Sequence, residues 1–266
     1  MLERKFCVIL GSGESINQLT PEQLDFINSQ PVRIGLNKYS AYFHKAKITP
    51  THVYFTDIFS EASRNYLQLI FRKLTDLNLG PTYILNKKVR YRATKNRLGH
   101  KVLKLAYWLP NLFFNHFKTI LLLPKSGTFE FIGYQSWNDP SNTWSTTLTK
   151  DLFHFKGSLS TVFNYCALKF SDHDILLVGV DFNGSRYFFQ DELDQEEFET
   201  SDRTTAMTKT ENKHFSLIPT EDGLTLFDKL PYILEKLAEQ NIAVHSISAS
   251  SRFVQDGFVD VYNPSL

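Results

Sequence analysis

Small polar residues follow the first three apolar runs of the sequence, at the points where strands would end. Gly11-Ser12-Gly13-Glu14-Ser15 follows the first run, Asn37 follows the second, and Asp57 follows the third. Glycines allow a ligand to approach the backbone closely, and free amides or hydroxyls can bind a phosphate. Each residue has an ordinary structural alternative, a tight turn for the glycines and a helix cap for Asn37 or Asp57. Because the three features occur together, the pattern predicts a nucleotide-binding cleft.

The glycine turn is a weak signal when it is considered alone. It departs from the G-x-G-x-x-G pattern of dinucleotide-binding proteins because Ile16 occupies the third glycine position. A tight turn without a ligand therefore remains its most frequent explanation. The prediction of a cleft depends on Asn37 and Asp57 as well.

The second half of the chain contains three further candidates. Gly157-Ser158-Leu159-Ser160-Thr161 precedes a predicted helix, where amides and hydroxyls would receive a carboxylate or a phosphate unless Ser158 is only a helix cap. Asp181 ends a predicted strand and either positions a loop or acts in catalysis. His214, within Asn212-Lys213-His214-Phe215, is the acid/base candidate because histidine titrates near neutrality; a structural role is the alternative.

Several other chemistries lack their motifs. The sequence has no H-E-x-x-H, no C-x-x-C pair, no Walker A and no G-x-S-x-G, which argues against zincins, zinc ribbons, P-loop kinases and common esterases. Asp172-His173-Asp174 resembles a metal motif but precedes its strand, so a loop is predicted there. The acidic run Asp191–Asp202 is interpreted as a solvated lid face, with a divalent ion bound alongside a nucleotide as the alternative. No protein metal site is predicted.

Continuous apolar runs alternate with amphipathic segments, which predicts parallel strands covered by helices on both faces. Strands are predicted at Phe6–Leu10, Val32–Leu36, Val53–Phe55, Tyr83–Leu85, Ile120–Leu123, Ile175–Val180 and, as the last one, Ile242–Ile247. One helix is predicted to begin at Thr20-Pro21. Three others are predicted to cover about Phe59–Leu74, Ser158–Phe170 and Leu224–Ala238. The expected fold is α/β, with a doubly wound, mostly parallel, Rossmann-like sheet.

Two segments interrupt the strand–helix rhythm of what is predicted to be one domain over residues 1–266. The first, at about 86–118, is basic and aromatic, and the second, at about 181–220, is an acidic segment expected to form a lid. Lys87–Lys104 could contact an anionic lipid-linked acceptor or the inner membrane surface, or form a solvated helix. One set of aromatic residues is expected outside the sheet, as an acceptor-side wall or a small helical subdomain: Tyr107, Trp108, Phe113, Phe114, Phe129, Phe131, Tyr134, Trp137, Trp144, Phe153 and Phe155.

The composition limits the class of protein. The 266 residues include 29 Lys and Arg against 28 Asp and Glu, so the net charge of +1 gives no reason to expect nucleic acid as a partner. With 42% hydrophobic residues the chain can bury a full core. Cys7 and Cys166 both lie in apolar runs, which excludes a disulfide framework and suggests a reducing compartment. No apolar run reaches the length of a membrane span, so a soluble, cytoplasmic protein is expected.

The motifs resemble those of glycosyltransferase family 42, the bacterial sialyltransferases that use CMP-sialic acid. Val8 to Ser15 resembles the opening strand and G-N-G-P-S turn of that family, and Ile34-Gly35-Leu36-Asn37 resembles its second strand with a nucleotide-binding Asn. Asp57 stands where the third strand of the family ends in Asn. Ser158-Leu159-Ser160-Thr161 resembles its T-S-G helix start, and Ile175 to Tyr187 is similar to I-Y-L-S-G-I-D-F followed by N-G-S-S-Y.

The same sequence is also similar to the family of 6-hydroxymethylpterin pyrophosphokinases and flagellin-glycosylation accessory proteins. Its G-L-N, P-T-x-x-x-x-x-D, G-S-T and N-x-H-F motifs match segments that begin at Gly35, Pro50, Ser160 and Asn212. The two resemblances together span about residues 5–255. Two departures from family 42 concern its catalytic base, which lies a few residues beyond the position of His214, and one of its two phosphate-binding tyrosines, which falls in a gap before Gly184.

The resemblance to family 42 implies a GT-A-like variant of the fold and transfer of sialic acid or a related ulosonic acid from a CMP-activated donor. Tyr187 would bind the donor phosphate, His214 would be the base, and no obligatory metal or cofactor would be needed, although Mg²⁺ could stimulate the reaction. The acceptor would be a lipid-linked or surface glycan of lipopolysaccharide or capsule. A homo-oligomer and a peripheral contact with the inner membrane are further expectations. A Mg²⁺-dependent pyrophosphokinase and a non-catalytic nucleotide-binding accessory protein are the alternatives.

Overall fold

A single parallel sheet forms the centre of the molecule. The computed structural model describes residues 5–56, 61–89, 93–94, 121–139, 141–183, 186–195 and 215–264. Its strands are β1 Phe6–Leu10, β2 Val32–Leu36, β3 His52–Phe55, β4 Thr82–Asn86, β5 Ala93–Thr94, β6 Leu121–Leu122, β7 Thr128–Ile132, β8 Asp174–Val178, β9 Val244–Ser246 and β10 Asp260–Val261. Eight of them form one sheet in the order β10-β9-β8-β1-β2-β3-β4-β7, and every neighbouring pair is parallel. The predicted fold class is confirmed.

Helices connect the strands and cover both faces of the sheet. They are α1 Pro21–Ser29, α2 Tyr39–Ala46, α3 Glu61–Asp76, α4 Ser158–Lys169, α5 Gln190–Gln195, α6 Leu226–Ala238 and α7 Arg252–Gln255. The sequence sets the start of α1 because Thr20 Oγ1 accepts from the Gln23 amide while the Gln23 side chain accepts from the Thr20 amide. Pro21 is the first helical residue, as predicted.

The side chains of β1 show how the two layers are divided. Phe6, Val8 and Leu10 belong to the buried cluster that contains α1, α2 and α3. Cys7 and Ile9 belong to the opposite cluster, which contains α4 and α6. Because successive side chains of a strand point to opposite faces, a strand buried on both faces is apolar throughout. The doubly wound arrangement predicted from the continuous apolar runs is therefore present.

The order of the strands places one topological switch point between β1 and β8. From β1 the chain moves outward through β2, β3 and β4, whereas from β8 it moves in the other direction through β9 and β10. In doubly wound sheets, ligands bind at the carboxyl ends of the strands beside such a point, because the connections leave toward opposite faces and open a crevice. The residues that follow β1, β2 and β8 therefore define the candidate site.

The edges of the sheet differ from the predicted pattern. The strand β7 was not predicted, and it contains Phe129 and Phe131, so the expectation that these two aromatic residues lie outside the sheet is wrong. Phe129 stacks on Tyr83 of β4, with ring centroids 5.0 Å apart. The residues Leu121–Leu122 pair with β5 in a separate two-stranded sheet, and β10 follows the strand that was predicted to be the last.

Much of the two predicted insertions lies outside the described residues. Of the basic segment at about 86–118, the structure describes 86–89 and 93–94, and of the lid it describes 181–183, 186–195 and 215–220. Phe153 and Phe155, which were expected in the aromatic wall, are buried in the cluster of α4 and α6. No helix in the described part of the chain has both the length and the apolar character that a membrane span requires.

Candidate functional site

The loops that follow β1 and β8 are held together by backbone hydrogen bonds. The amides of Gly11 and Gly13 donate to the carbonyls of Val178 (2.8 Å) and Gly179 (2.7 Å). A side chain at Gly11 would place its Cβ 2.3 Å from the Gly179 oxygen, a distance that no real Cβ adopts. Close packing of these two loops therefore explains the first glycine without a ligand.

Asp181 fixes the position of the turn after β1. Its carboxylate accepts from the Ser15 amide at 2.9 Å and from Ser15 Oγ at 2.5 Å, and both residues are buried. A Cβ at Gly13 would lie 2.3 Å from Asp181 Oδ2, so the second glycine makes room for this carboxylate. The geometry favours a positioning role for Asp181, which is one of the two roles considered from the sequence.

Substitutions at Asp181 should separate positioning from catalysis. Asp181→Asn keeps an oxygen for the Ser15 amide and gives the Ser15 hydroxyl a donor, so affinity for the nucleotide that the sequence predicts should stay within about threefold. Asp181→Ala leaves a buried amide without its acceptor, which costs about 2 kcal/mol of stability and should weaken nucleotide binding about tenfold. Calorimetric titration and thermal denaturation of both variants measure these effects. A loss of turnover of about 10²-fold in Asp181→Asn, with affinity retained, would instead identify a catalytic group.

The start of the predicted lid returns to the turn after β1. Tyr187 forms an antiparallel bridge with Gly13, and the Phe188 amide donates to the Ser12 carbonyl at 3.2 Å. The Tyr187 ring lies parallel to that of Phe189, with centroids 5.1 Å apart, and Phe189 stacks in turn on Tyr42 of α2 at 4.0 Å. Tyr187, predicted as a phosphate ligand, is therefore held beside the glycine turn by a column of aromatic rings.

Lys38 places a positive charge beside this column. Its ammonium lies 5.2 Å from the ring centroid of Tyr187 and 5.4 Å from that of Tyr66 in α3. Burial lowers the pKa of Lys38 to about 8, because the charged form is poorly solvated there. Burial also raises the pKa of Tyr187, so its phenol keeps its proton at neutral pH. Sequence analysis did not single out Lys38, although its position directly after Asn37 at a strand end is a signal.

Asn37 and Ser158 are in direct contact beside the crevice. Asn37 Nδ2 donates to Ser158 Oγ at 3.0 Å, which joins the end of β2 to the first turn of α4. The Asn37 backbone has φ 48°, a left-handed conformation that asparagine tolerates better than most residues, and its amide donates to the Tyr54 carbonyl of β3 at 2.8 Å. Asn37 Oδ1 is buried and has no hydrogen-bond partner among the described residues. Buried acceptors are normally satisfied, so this oxygen points to a missing donor.

Ser160 and Thr161 are buried within the chain behind the start of α4. Ser160 Oγ accepts from the Phe155 amide at 2.8 Å and lies 3.2 Å from the Gly157 carbonyl. Thr161 Oγ1 is 2.8 Å from His154 Nδ1, and burial lowers the pKa of His154 to about 4. These two hydroxyls shape the turn that presents Ser158 and the free amides of the helix start.

Comparison with known proteins gives one remote structural similarity. No family model matches the chain, and no curated protein matches its sequence. Among solved structures, the MAf glycosyltransferase from Magnetospirillum magneticum AMB-1 is similar, with a TM-score of 0.43 and 14% sequence identity. The match covers 93% of this chain and 32% of the other, so the chain spans about a third of that protein. The role of the crevice is therefore inferred from its own residues.

Two predicted site residues, Asp57 and His214, lie outside the described residues, as does most of the acidic run Asp191–Asp202. Within the described part of the chain, no group of His, Cys, Asp and Glu side chains is arranged to hold a metal ion. The structure thus brings together Gly11, Ser12, Gly13, Ser15, Asp181 and Tyr187 on one side of the crevice, and Asn37 and Ser158 on the other. Lys38, from the first turn beyond β2, places a positive charge next to Tyr187 and directly follows Asn37.

Proposed function

We propose that the crevice at the switch point binds a CMP-activated acidic sugar, sialic acid or a related ulosonic acid, and that the chain transfers this sugar to a glycan. The observation that supports this most directly is the pairing of Asn37 with Ser158. Among the described residues it leaves the buried Asn37 Oδ1 without a donor, beside the start of a long helix where amides favour negative charge. A cytosine amino group or a ribose hydroxyl would supply the donor, and a sugar carboxylate would suit the helix start.

The surrounding residues supply complementary roles in this proposal. The nucleotide lies across Gly11 to Ser15 and Asn37, with Asp57 and Ser158 near the sugar. The amides of Gly11, Gly13 and Ser15 already donate within the chain, so the phosphate is bound by other donors. The Lys38 ammonium and the Tyr187 hydroxyl are suited to this task.

The transfer step needs one base and one stabilised leaving group. The acceptor hydroxyl oxygen forms a bond to the anomeric carbon of the donor, while His214 takes the hydroxyl proton. The bond between the anomeric carbon and the phosphate oxygen breaks, and its electron pair leaves with CMP. Lys38 and Tyr187 stabilise the charge that grows on the departing phosphate, which is how preorganised donors lower such a barrier.

The role of Lys38 predicts a pH dependence of nucleotide affinity. With a pKa of about 8, Lys38 loses its charge as the pH rises from 7 to 9, so CMP should bind about tenfold more weakly at pH 9. Lys38→Arg should remove this decline because a guanidinium stays protonated over the range. Calorimetric titration with CMP measures the effect, and cytidine, which lacks the phosphate, is the control. An equal decline for cytidine, or in Lys38→Arg, would contradict the assignment.

The class of nucleotide is tested by a thermal-shift panel of CMP, CDP, UDP, ADP, ATP and GDP, with and without Mg²⁺. The proposal predicts stabilisation by CMP that does not require Mg²⁺, since ligands that bind only the folded state raise the melting temperature. Hydrolysis of the matching donor by the same preparation then tests turnover. Preference for UDP or GDP would overturn the choice of donor.

Two other outcomes of this panel would identify the alternative functions. ATP consumption with release of AMP, without turnover of any CMP-sugar, would indicate a pyrophosphokinase. Nucleotide binding without any turnover, unaffected by His214→Ala, would indicate an accessory protein of glycan assembly.

A further inference from the structure

A cavity close to the crevice has a lining suited to carbohydrate. Its volume is about 430 Å³, within the range of small-molecule sites, and it lies between the loop after β7, the segment before α4 and the start of α6. Trp137 and Tyr232 contribute aromatic rings, and Asn138, Asp139, Asp222 and Lys229 contribute hydrogen-bonding groups. Aromatic faces with a few fixed polar groups around them suit a ligand that is apolar on its ring faces and polar at its edge.

Both rings are held in place by contacts with the rest of the chain. The Lys156 ammonium lies 5.5 Å from the ring centroid of Trp137 and donates to the Pro219 carbonyl at 3.3 Å. The Tyr232 hydroxyl accepts from the Trp144 amide at 3.0 Å, and its ring packs edge-on against Phe153 at 5.5 Å. A ligand would therefore meet preorganised rings, which reduces the entropy lost on binding.

A short turn connects this cavity to the crevice. Phe155 lines the cavity, and Ser158, three residues later, bonds to Asn37 in the crevice. The two residues between them, Lys156 and Gly157, have φ values of 47° and 115°. Three peptide units span at most about 11 Å, so the two sites are neighbours. A left-handed lysine is costly, and such strain is concentrated at functional sites.

We infer that this cavity binds the sugar of the acceptor, and that this sugar is uncharged. The inference rests on the proposed function, because it places the acceptor beside the donor site. Hydroxyl groups of a sugar can donate to the carboxylates of Asp139 and Asp222 and accept from Lys229. Among the residues that line the cavity, these two carboxylates outnumber the ammonium of Lys229, while the nearby Lys156 ammonium is bound to the Pro219 carbonyl and faces the Trp137 ring. This balance disfavours a negatively charged sugar.

The test measures binding of two neutral probes, lactose and N-acetyllactosamine, and of anionic sialyllactose by saturation-transfer NMR. The wild-type protein is examined with and without CMP. Trp137→Ala and Asp222→Ala should each weaken binding of the neutral probes at least tenfold. Glu221→Ala removes the acid adjacent to Asp222, outside the cavity, and should leave their affinity within twofold. CMP affinity should be unchanged in all three variants.

The outcomes separate the two proposals. Sugar binding that depends on Trp137, in a protein that does not bind CMP, would contradict the proposed function while leaving a carbohydrate site. CMP binding without saturation transfer to either neutral probe would overturn the acceptor site alone. Tighter binding of sialyllactose than of lactose, or equal loss of binding in Glu221→Ala, would also overturn the inference.

Discussion

His214→Ala is expected to slow sugar transfer about 10²–10⁴-fold while leaving nucleotide binding intact, because general-base catalysis typically contributes that factor. His214 is assigned the acceptor proton and no contact with CMP, so turnover should fall without a change in the dissociation constant for CMP. The wild-type rate should also rise with pH as a histidine base loses its proton, and this step should be absent from the variant. Initial rates at a saturating concentration of the donor, together with calorimetric titration of CMP, measure both effects.

A second histidine provides the matched control for this experiment. His173 lies immediately before β8, at the amino end of the strand and therefore on the opposite edge of the sheet from the crevice, and its Nδ1 is 2.7 Å from Asp172. His173→Ala should keep the wild-type rate within about twofold. Unchanged turnover in His214→Ala would end the assignment of the base. Parallel loss of turnover in both variants would point to a general effect on folding.

The strands that build the site could be predicted because each is buried on both faces. Residues 6–10 of β1, 53–55 of β3 and 175–178 of β8 are unbroken apolar runs, which are the physical consequence of helices on either side of the sheet. In β2, Arg33 interrupts the run. The correspondence between an apolar run and a strand fails for the outermost strands of the sheet. In β7, Thr128 and Glu130 alternate with phenylalanines because an edge strand is partly solvated, and the resulting sequence was assigned to an aromatic wall instead.

The contacts within the site could be predicted only in part. The predicted ends of the strands put the glycine turn, Asn37 and Asp181 together at the carboxyl ends of the strands. The structure places them there because neighbouring parallel strands end together. The reason for the glycines could not be read from the sequence, since Gly179 and Asp181, which crowd them, come from a strand far along the chain. The setting of Lys38 between two tyrosine rings likewise depends on elements that only the folded chain brings together.

The side-chain amide of Asn164 joins two backbone segments beside the proposed acceptor cavity. Of the substitutions considered, a change at Asn164 should lower the stability of the protein the most. Asn164 of α4 is fully buried; its Oδ1 accepts from the amides of Ser145 (3.0 Å) and Phe153 (2.9 Å), and its Nδ2 donates to the Ser145 carbonyl at 2.9 Å. Asn164→Leu leaves all three backbone groups without this partner. At about 1–3 kcal/mol for each buried group, the free energy of unfolding should fall by about 4 kcal/mol. Chemical denaturation measures this change, and the melting temperature should fall by roughly 10 °C.

Asn28 on the surface is the control for Asn164, because water can replace the hydrogen bond that its side chain loses on substitution. Asn28 Nδ2 donates to the Lys47 carbonyl at 2.9 Å in an exposed position, so Asn28→Ala should cost no more than about 1 kcal/mol. Equal losses in the two variants would contradict the role given to Asn164. Asn164→Asp refines the test, because it keeps an acceptor for the two amides but turns the donor toward Ser145 into a second acceptor. It should therefore be destabilised as well, and more strongly as the pH rises above the ordinary aspartate pKa of about 4, because the folded state must then bury an unpaired charge.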